Sequence, residues 1–146
     1  MLIGKGDLMR RRRKIPLTVD DIMTTPPLVV DPEEDVVNVA KKLLEHGYGS
    51  ALVIEDDKLI GIVTERDLIY ALSQGEDGIK LKARDVMSED PISVKAKTDI
   101  MEAIKIMKDA NVRHLPVVDD KGRPVGVVAF RDILESLMLL LHFFYC

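Results

Sequence analysis

Residues 61–68 read GIVTERDL, and residues 126–133 read GVVAFRDI. Each stretch is a glycine, three small or β-branched residues ending in Thr64 or Ala129, one variable residue, then Arg-Asp and an aliphatic residue. The likeness extends outward. DIMTTPPLVV (21–30) and DVMSEDPISV (85–94) match at Asp21/Asp85, Met23/Met87, Pro27/Pro91 and Val30/Val94, an offset of 64. One extra residue near Gly122 makes the offset 65, where Gly61, Val63, Arg66 and Asp67 meet Gly126, Val128, Arg131 and Asp132. Self-similarity at a fixed offset marks a duplicated structural unit. The chain divides into a basic arm (1–19), repeat one (20–73), a linker (74–83), repeat two (84–138) and an apolar tail (139–146).

Both repeats carry the same order of signals. A short extended piece follows the proline (LVV; ISV). Apolar residues then fall at helical spacing, Val36, Val39, Ala40, Leu43 and Leu44 in repeat one and Ile100, Ala103, Ile104 and Met107 in repeat two. Asp31 or Glu34 can cap the first of these helices and Thr98 or Asp99 the second. Two apolar strands flank a turn marked by DD or DKG, and a second helix starts at the ERD or FRD segment. The reading is β-α-β-β-α, twice, an α/β (α+β) fold. A three-stranded sheet with one bare face is marginal alone, so two copies related by a pseudo-twofold are expected to pack sheet to sheet.

The totals narrow the function. The chain has 146 residues, 47% hydrophobic and 32% charged, as in a folded globular domain. A net charge of −4 gives no overall attraction to nucleic acid, and with 4% aromatic residues and no Trp a base-stacking platform is disfavoured. Cys146 is the lone cysteine, which fits a reducing, cytoplasmic setting. His46, His114 and His142 are scattered without cysteine partners, so no metal site is expected. No nucleophile–base arrangement or Gly-rich phosphate loop is present, and no catalytic residue is assigned: the chain reads as a non-enzyme. The uncharged run Ser136–Cys146 is too short to span a bilayer and reads as a helix packed on the body or on a second subunit. RRRRK (10–14) reads as a solvated arm or as a contact for phosphate, nucleic acid or an anionic surface, and is too little to imply DNA binding.

The paired DIM/DVM starts, VRHLPVVDDKG, and the doubled GIVTERDL/GVVAFRDI resemble a tandem pair of cystathionine-β-synthase (CBS) domains, a Bateman module, over about residues 20–138. The resemblance implies two β-α-β-β-α units packed sheet to sheet, usually dimerised into a disk. It also implies an adenosine-containing ligand (AMP, ADP, ATP or S-adenosylmethionine) held between the repeats to regulate a partner protein. Arm and tail are too short for a catalytic domain, so the module is expected to be free-standing, with a homodimer and an unknown regulated protein as partners.

Thr64-x-x-Asp67 has two readings. It is a helix cap, with an acidic residue three positions after a Thr, or a carboxylate that accepts two vicinal ribose hydroxyls. In repeat two Ala129 cannot cap with its side chain, yet Asp132 remains, which favours a task for the carboxylate. Arg113 and His114 read either as a solvated strand edge or as phosphate contacts. By the resemblance, one cleft would use Thr64, Asp67, Pro91, Ile92, Arg113, His114, Pro116 and Arg131. The opposite cleft would use Asp132 with Pro27, Leu28, Ser50, Ala51 and Arg66. Gly49, Ser50, Leu52 and Ala129 stand in the second where Arg113, His114, Pro116 and Thr64 stand in the first. The Asp67 cleft is therefore expected to be the stronger nucleotide site, and the Asp132 cleft weak, empty, or suited to a less charged ligand such as adenosine or S-adenosylmethionine. A ligand-independent dimerising adaptor is the alternative function.

Overall fold

The structure is a computed structural model, and it describes residues 17–145. The basic cluster at 10–14 and Cys146 lie outside the described residues. Repeat one comprises strand β1 (Val29–Val30), helix α1 (Val36–His46), the hairpin β2 (Ser50–Glu55) and β3 (Lys58–Thr64), and helix α2 (Glu65–Ser73). A short helix α3 (Ala83–Val86) and strand β4 (Ser88–Glu89) follow. Repeat two then gives β5 (Val94–Lys95), α4 (Ile100–Ala110), β6 (His114–Val118), β7 (Pro124–Ala129) and α5 (Phe130–Tyr145). The order β-α-β-β-α recurs as expected.

In each repeat the first strand pairs parallel to the second, and the second antiparallel to the third. Period-2 alternation then sorts the side chains. Ala51, Val53 and Val63 face the helices of repeat one, while Leu52 and Ile62 turn the other way and meet Val127 of repeat two. Leu115, Val117 and Val128 do the same service in the second helical core. Burying one such side chain is worth about 1.5–3 kcal/mol, so both faces of each sheet hold the pair together.

Helix boundaries follow local chemistry. α1 and α4 both stop on a left-handed residue, Gly47 (φ 69°) and its counterpart Asn111 (φ 54°), the two types that adopt this conformation most easily. At the N-termini, Asp99 caps α4 through the Met101 N–H at 2.8 Å. For α1 the N-cap position is Asp35, not Asp31 or Glu34: Asp31 closes a turn onto the Glu33 N–H, and Glu34 pairs with Lys42 and Asn38.

The two structural units are not the two sequence repeats. Val19, together with Leu17, Ile22 and Met23, packs into the core of repeat two, and Ala83 and Val86 pack into that of repeat one. Thr24 bridges to Val127, and Ser88 pairs with Ile62 at the corresponding place in the other sheet. Each repeat thus lends its opening segment to the other. The Asp of DIM and DVM anchors that segment: Asp21 accepts from the Thr18 N–H and Asp85 from the Lys82 N–H, both at 2.9 Å. Leu17–Val19 and Ala83 accordingly belong to the folded body rather than to an arm and a linker. The exchange also explains the glycines of the doubled motif. A Cβ on Gly61 would strike the Met87 side chain, and one on Gly126 would lie 2.8 Å from the Thr24 carbonyl oxygen and 2.9 Å from Met23 Sδ.

Helix α5 passes through the expected tail boundary at 138/139 without a break. Its inner residues Ile133 and Leu137 pack on repeat two, but Met138, Leu139, Leu141, Phe143 and Phe144 are exposed. The expected packing on the body is not found for this outer end. Among the described residues, no helix is long and apolar enough to cross a membrane.

Candidate functional site

Strand register decides which charged groups share a cleft. Ser50 stands opposite Thr64, and His114 opposite Ala129. The following helices are tied to the same places: the Glu65 N–H donates to the Gly49 carbonyl (3.3 Å), and the Phe130 N–H to the Arg113 carbonyl (2.8 Å). Arg113 and His114 therefore lie beside the Ala129–Asp132 segment of their own repeat.

A cavity of about 1120 Å³ opens between the repeats on the Asp132 side. The segment entering β1 supplies Thr24, Pro27 and Leu28 to one wall. Leu43, Tyr48, Gly49, Ser50 and Glu65 are among the further residues of repeat one, and Arg113, His114, Arg131, Asp132 and Glu135 among those of repeat two. Tyr48 is held over this wall by donating its hydroxyl to the Pro26 carbonyl at 3.1 Å. Gly49 and Arg113 are counterparts at the 64-residue offset, as are Ser50 and His114. All four line the cavity, so they meet near the pseudo-twofold axis.

This placement redraws the expected grouping. Pro27, Leu28, Ser50 and Asp132 line one cavity, as the sequence suggested. Arg113, His114 and Arg131, expected with Asp67, also line this cavity. Thr64, Asp67, Pro91 and Ile92 lie off it. Ala51 and Pro116 are fully buried, Ala51 in the first helical core. Ser50 faces the cavity, so alternation along β2 turns Ala51 away from it. Arg66 is an exposed residue beside Asp67 and does not line the cavity. Glu65, Tyr48 and Glu135 were missed. Glu65 is the variable letter of the doubled motif, and nothing in its pattern marks it.

The two motif carboxylates are chemically unlike. Asp67 reaches back to the Thr64 N–H at 2.8 Å and also accepts from the Thr64 hydroxyl at 3.3 Å. It does the work of a cap. Burial raises its pKa above the usual carboxylate value, partly offset by the Thr64 hydrogen bonds and the Arg66 charge. Asp132 makes no side-chain hydrogen bond among the described residues and faces the cavity from the first turn of α5. His114 is held below the usual histidine pKa by burial. The Glu65 and Asp132 carboxylates oppose this shift, and the Arg113 charge adds to it. The Arg131 Nε lies 3.4 Å from Glu135 Oε1 on the exposed face of α5.

Two tandem β-α-β-β-α units, exchanging opening segments around a shared cavity, define a paired module rather than a single α/β domain. The sequence model described as CBS domain matches residues 19–74 and 83–139, and the chain belongs to this family. An uncharacterized protein of Methanopyrus kandleri is 40% identical over 121 residues, covering 82% of this chain and 62% of that protein. The chain thus spans under two thirds of that relative's length. The mitochondrial CBS domain-containing protein CBSX3 of Arabidopsis thaliana is 29% identical over 134 residues, 83% of this chain and 65% of that one. Among solved structures, the CBS domain pair of protein MJ0100 in complex with 5′-methylthioadenosine and S-adenosyl-L-methionine superposes with a TM-score of 0.78. It is 27% identical and covers 85% of this chain and 98% of its own. CBSX2 in complex with AMP has a TM-score of 0.70 at 25% identity, covering 84% and 97%.

Proposed function

We propose that this chain is a non-catalytic regulatory module that binds an adenosine-containing ligand in the cavity beside Asp132 and thereby modulates a partner protein. The observation that carries the reading is the Asp132 carboxylate. It faces a cavity of about 1120 Å³, slightly roomier than the roughly 300–1,000 Å³ usual for small-molecule sites, and no hydrogen bond within the described residues occupies it. A free carboxylate can accept both vicinal hydroxyls of a ribose, and a charged acceptor makes the stronger bond. Pro27 and Leu28 offer an apolar edge for adenine across from it. Ligands in the names of related CBS pairs, AMP and S-adenosyl-L-methionine with 5′-methylthioadenosine, support the ligand class.

The test is calorimetric titration of ligand-stripped protein with adenosine, AMP, ADP, ATP and S-adenosylmethionine, with GTP as control. At least one adenosine ligand should bind and GTP should not. Asp132→Ala should weaken binding about 10- to 150-fold, the loss of a charged hydrogen-bond acceptor worth roughly 1.5–3 kcal/mol. Unchanged affinity in that variant would remove Asp132 from the site.

A second reading, a dimerising adaptor without ligand, is favoured by the exposed Met138, Leu139, Leu141, Phe143 and Phe144 on α5. These exposed apolar side chains support that reading as a surface a second copy would cover. Absence of binding by every ligand, with a dimer in sedimentation velocity, would move the conclusion to that reading.

A further inference from the structure

Resting on the adenosine reading, we infer that this cavity selects an adenosine derivative whose 5′ end carries no phosphate, a neutral thioether or a cationic sulfonium, and that Glu65 is the residue that enforces the choice. By residue pattern the Asp132 side is expected to hold few cations. The structure brings Arg113, His114 and Arg131 into it, which by themselves would favour phosphate. It also brings Glu65, Asp132 and Glu135. Two guanidiniums and three carboxylates therefore line it together with the His114 imidazole, whose pKa burial lowers.

Their positions sharpen the balance. Glu65 comes from the repeat opposite Asp132, at the start of α2, and stands over Gly49. A Cβ on Gly49 would lie 3.1 Å from His114 Nε2 and 3.5 Å from Glu65 Oε1, so imidazole and carboxylate crowd the same point on the cavity wall. Arg131 is turned along α5 toward Glu135, which shares its charge. The N-terminal end of α5, which would attract an anion, already carries Asp132 in its first turn. A phosphate entering here meets one cation, Arg113, that has no carboxylate partner within 4 Å among the described residues. It also meets two carboxylates that repel it.

This arrangement is specific to one side. At the 65-residue offset the counterpart of Glu65 is Phe130, and that of Glu135 is Tyr70. A pseudo-symmetric cleft beside Asp67 would have neither acid.

The experiment titrates the ligand-stripped full chain with adenosine, 5′-methylthioadenosine, S-adenosylmethionine, AMP and ATP, in wild type, Glu65→Gln and Glu135→Gln. A nearby charge shifts a neighbouring ionic equilibrium by about one unit or more, so each carboxylate is worth about tenfold. In wild type, 5′-methylthioadenosine and S-adenosylmethionine should bind about tenfold or more tighter than AMP, and ATP more weakly still. Glu65→Gln should narrow the thioether-to-AMP ratio about tenfold. Glu135→Gln, which frees Arg131, should move the ratio the same way by less. AMP binding as tightly as 5′-methylthioadenosine in wild type overturns the inference while leaving the adenosine reading intact, and so does a ratio unmoved by Glu65→Gln. No binding by any of them, adenosine included, refutes the adenosine reading and this inference with it.

Discussion

Gly126→Ala is expected to destabilise the protein more than the matching change at Gly61, although the two glycines occupy the same letter of a duplicated motif. A Cβ at residue 126 would sit 2.8 Å from the Thr24 carbonyl oxygen, a backbone atom fixed on both sides. Thr24 donates to the Val127 carbonyl at 2.8 Å and accepts from the Val127 N–H at 3.1 Å. Relieving the clash means withdrawing this segment from β7. Two backbone hydrogen bonds at about 0.5–1.5 kcal/mol each are weakened, on top of overpacking of about 1–3 kcal/mol. The expected loss is about 2–4 kcal/mol, a fall in the urea midpoint of about 1–2 M at an m-value near 2 kcal/mol/M. At Gly61 the atoms met belong to the Met87 side chain, with Cγ at 2.9 Å and Cβ at 3.1 Å. A thioether with three rotatable bonds can move, and the loss should be smaller, about 1–2 kcal/mol. The assay is urea unfolding followed by circular dichroism, with double-mutant cycles against the facing methionine. Met87→Ala should relieve part of the Gly61→Ala penalty, whereas Met23→Ala should relieve less of that at Gly126, because the carbonyl remains. A Gly126→Ala protein within 0.5 kcal/mol of wild type would refute the exchanged-segment explanation of the motif, as would equal rescue by the two methionine changes.

Two further outcomes concern titration. Burial raises the folded pKa of Asp67 above its ordinary 3.8, so its contribution favours the fold below about that pH and is lost as pH rises through the folded value. Asp67→Asn keeps an acceptor for the Thr64 N–H without the buried charge; it should be as stable as wild type or more so at pH 7, with the difference shrinking toward pH 3.5 in urea titrations. The folded pKa of His114 is depressed below 6.5, so on acidification the unfolded chain takes its proton first. Stability is present above about pH 6.5 and falls through the window beneath it; comparing His114→Asn with wild type at pH 7.5 and 5.5 should show a smaller acid loss in the variant. Burial sets this shift, the facing Glu65 and Asp132 carboxylates oppose it and Arg113 adds to it; an identical acid loss in both proteins would contradict it.

Element order was legible because it rests on local signals. Helical spacing at Val36, Val39 and Leu43 and the turn before Lys58 are each decided within a few residues. The candidate site was legible only in part. Asp132 was recognisable as a carboxylate without a capping partner, since Ala129 stands where a Thr would be. Its companions were not. Strand register, not similarity to the other repeat, sets Arg113 and His114 beside Ala129, and Glu65 enters from the opposite repeat with no pattern of its own.

The sequence by itself determined the duplication, the β-α-β-β-α order, the family resemblance and the identity of the two motif aspartates, because these depend on residue type and spacing along the chain. Tertiary structure alone decided that each repeat lends its opening segment to the other sheet. That exchange gives Gly61 and Gly126 their reason, through Met87, Met23 and the Thr24 carbonyl. It also decided that one aspartate caps a helix while the other faces a cavity. The physical cause is the same in both cases. A repeat repeats its local preferences, and contacts across the pseudo-twofold recur where the residues match, Thr24 with Val127 and Ser88 with Ile62; Glu65 near His114 has no such echo, because Phe130 and Ser50 stand at the matching places.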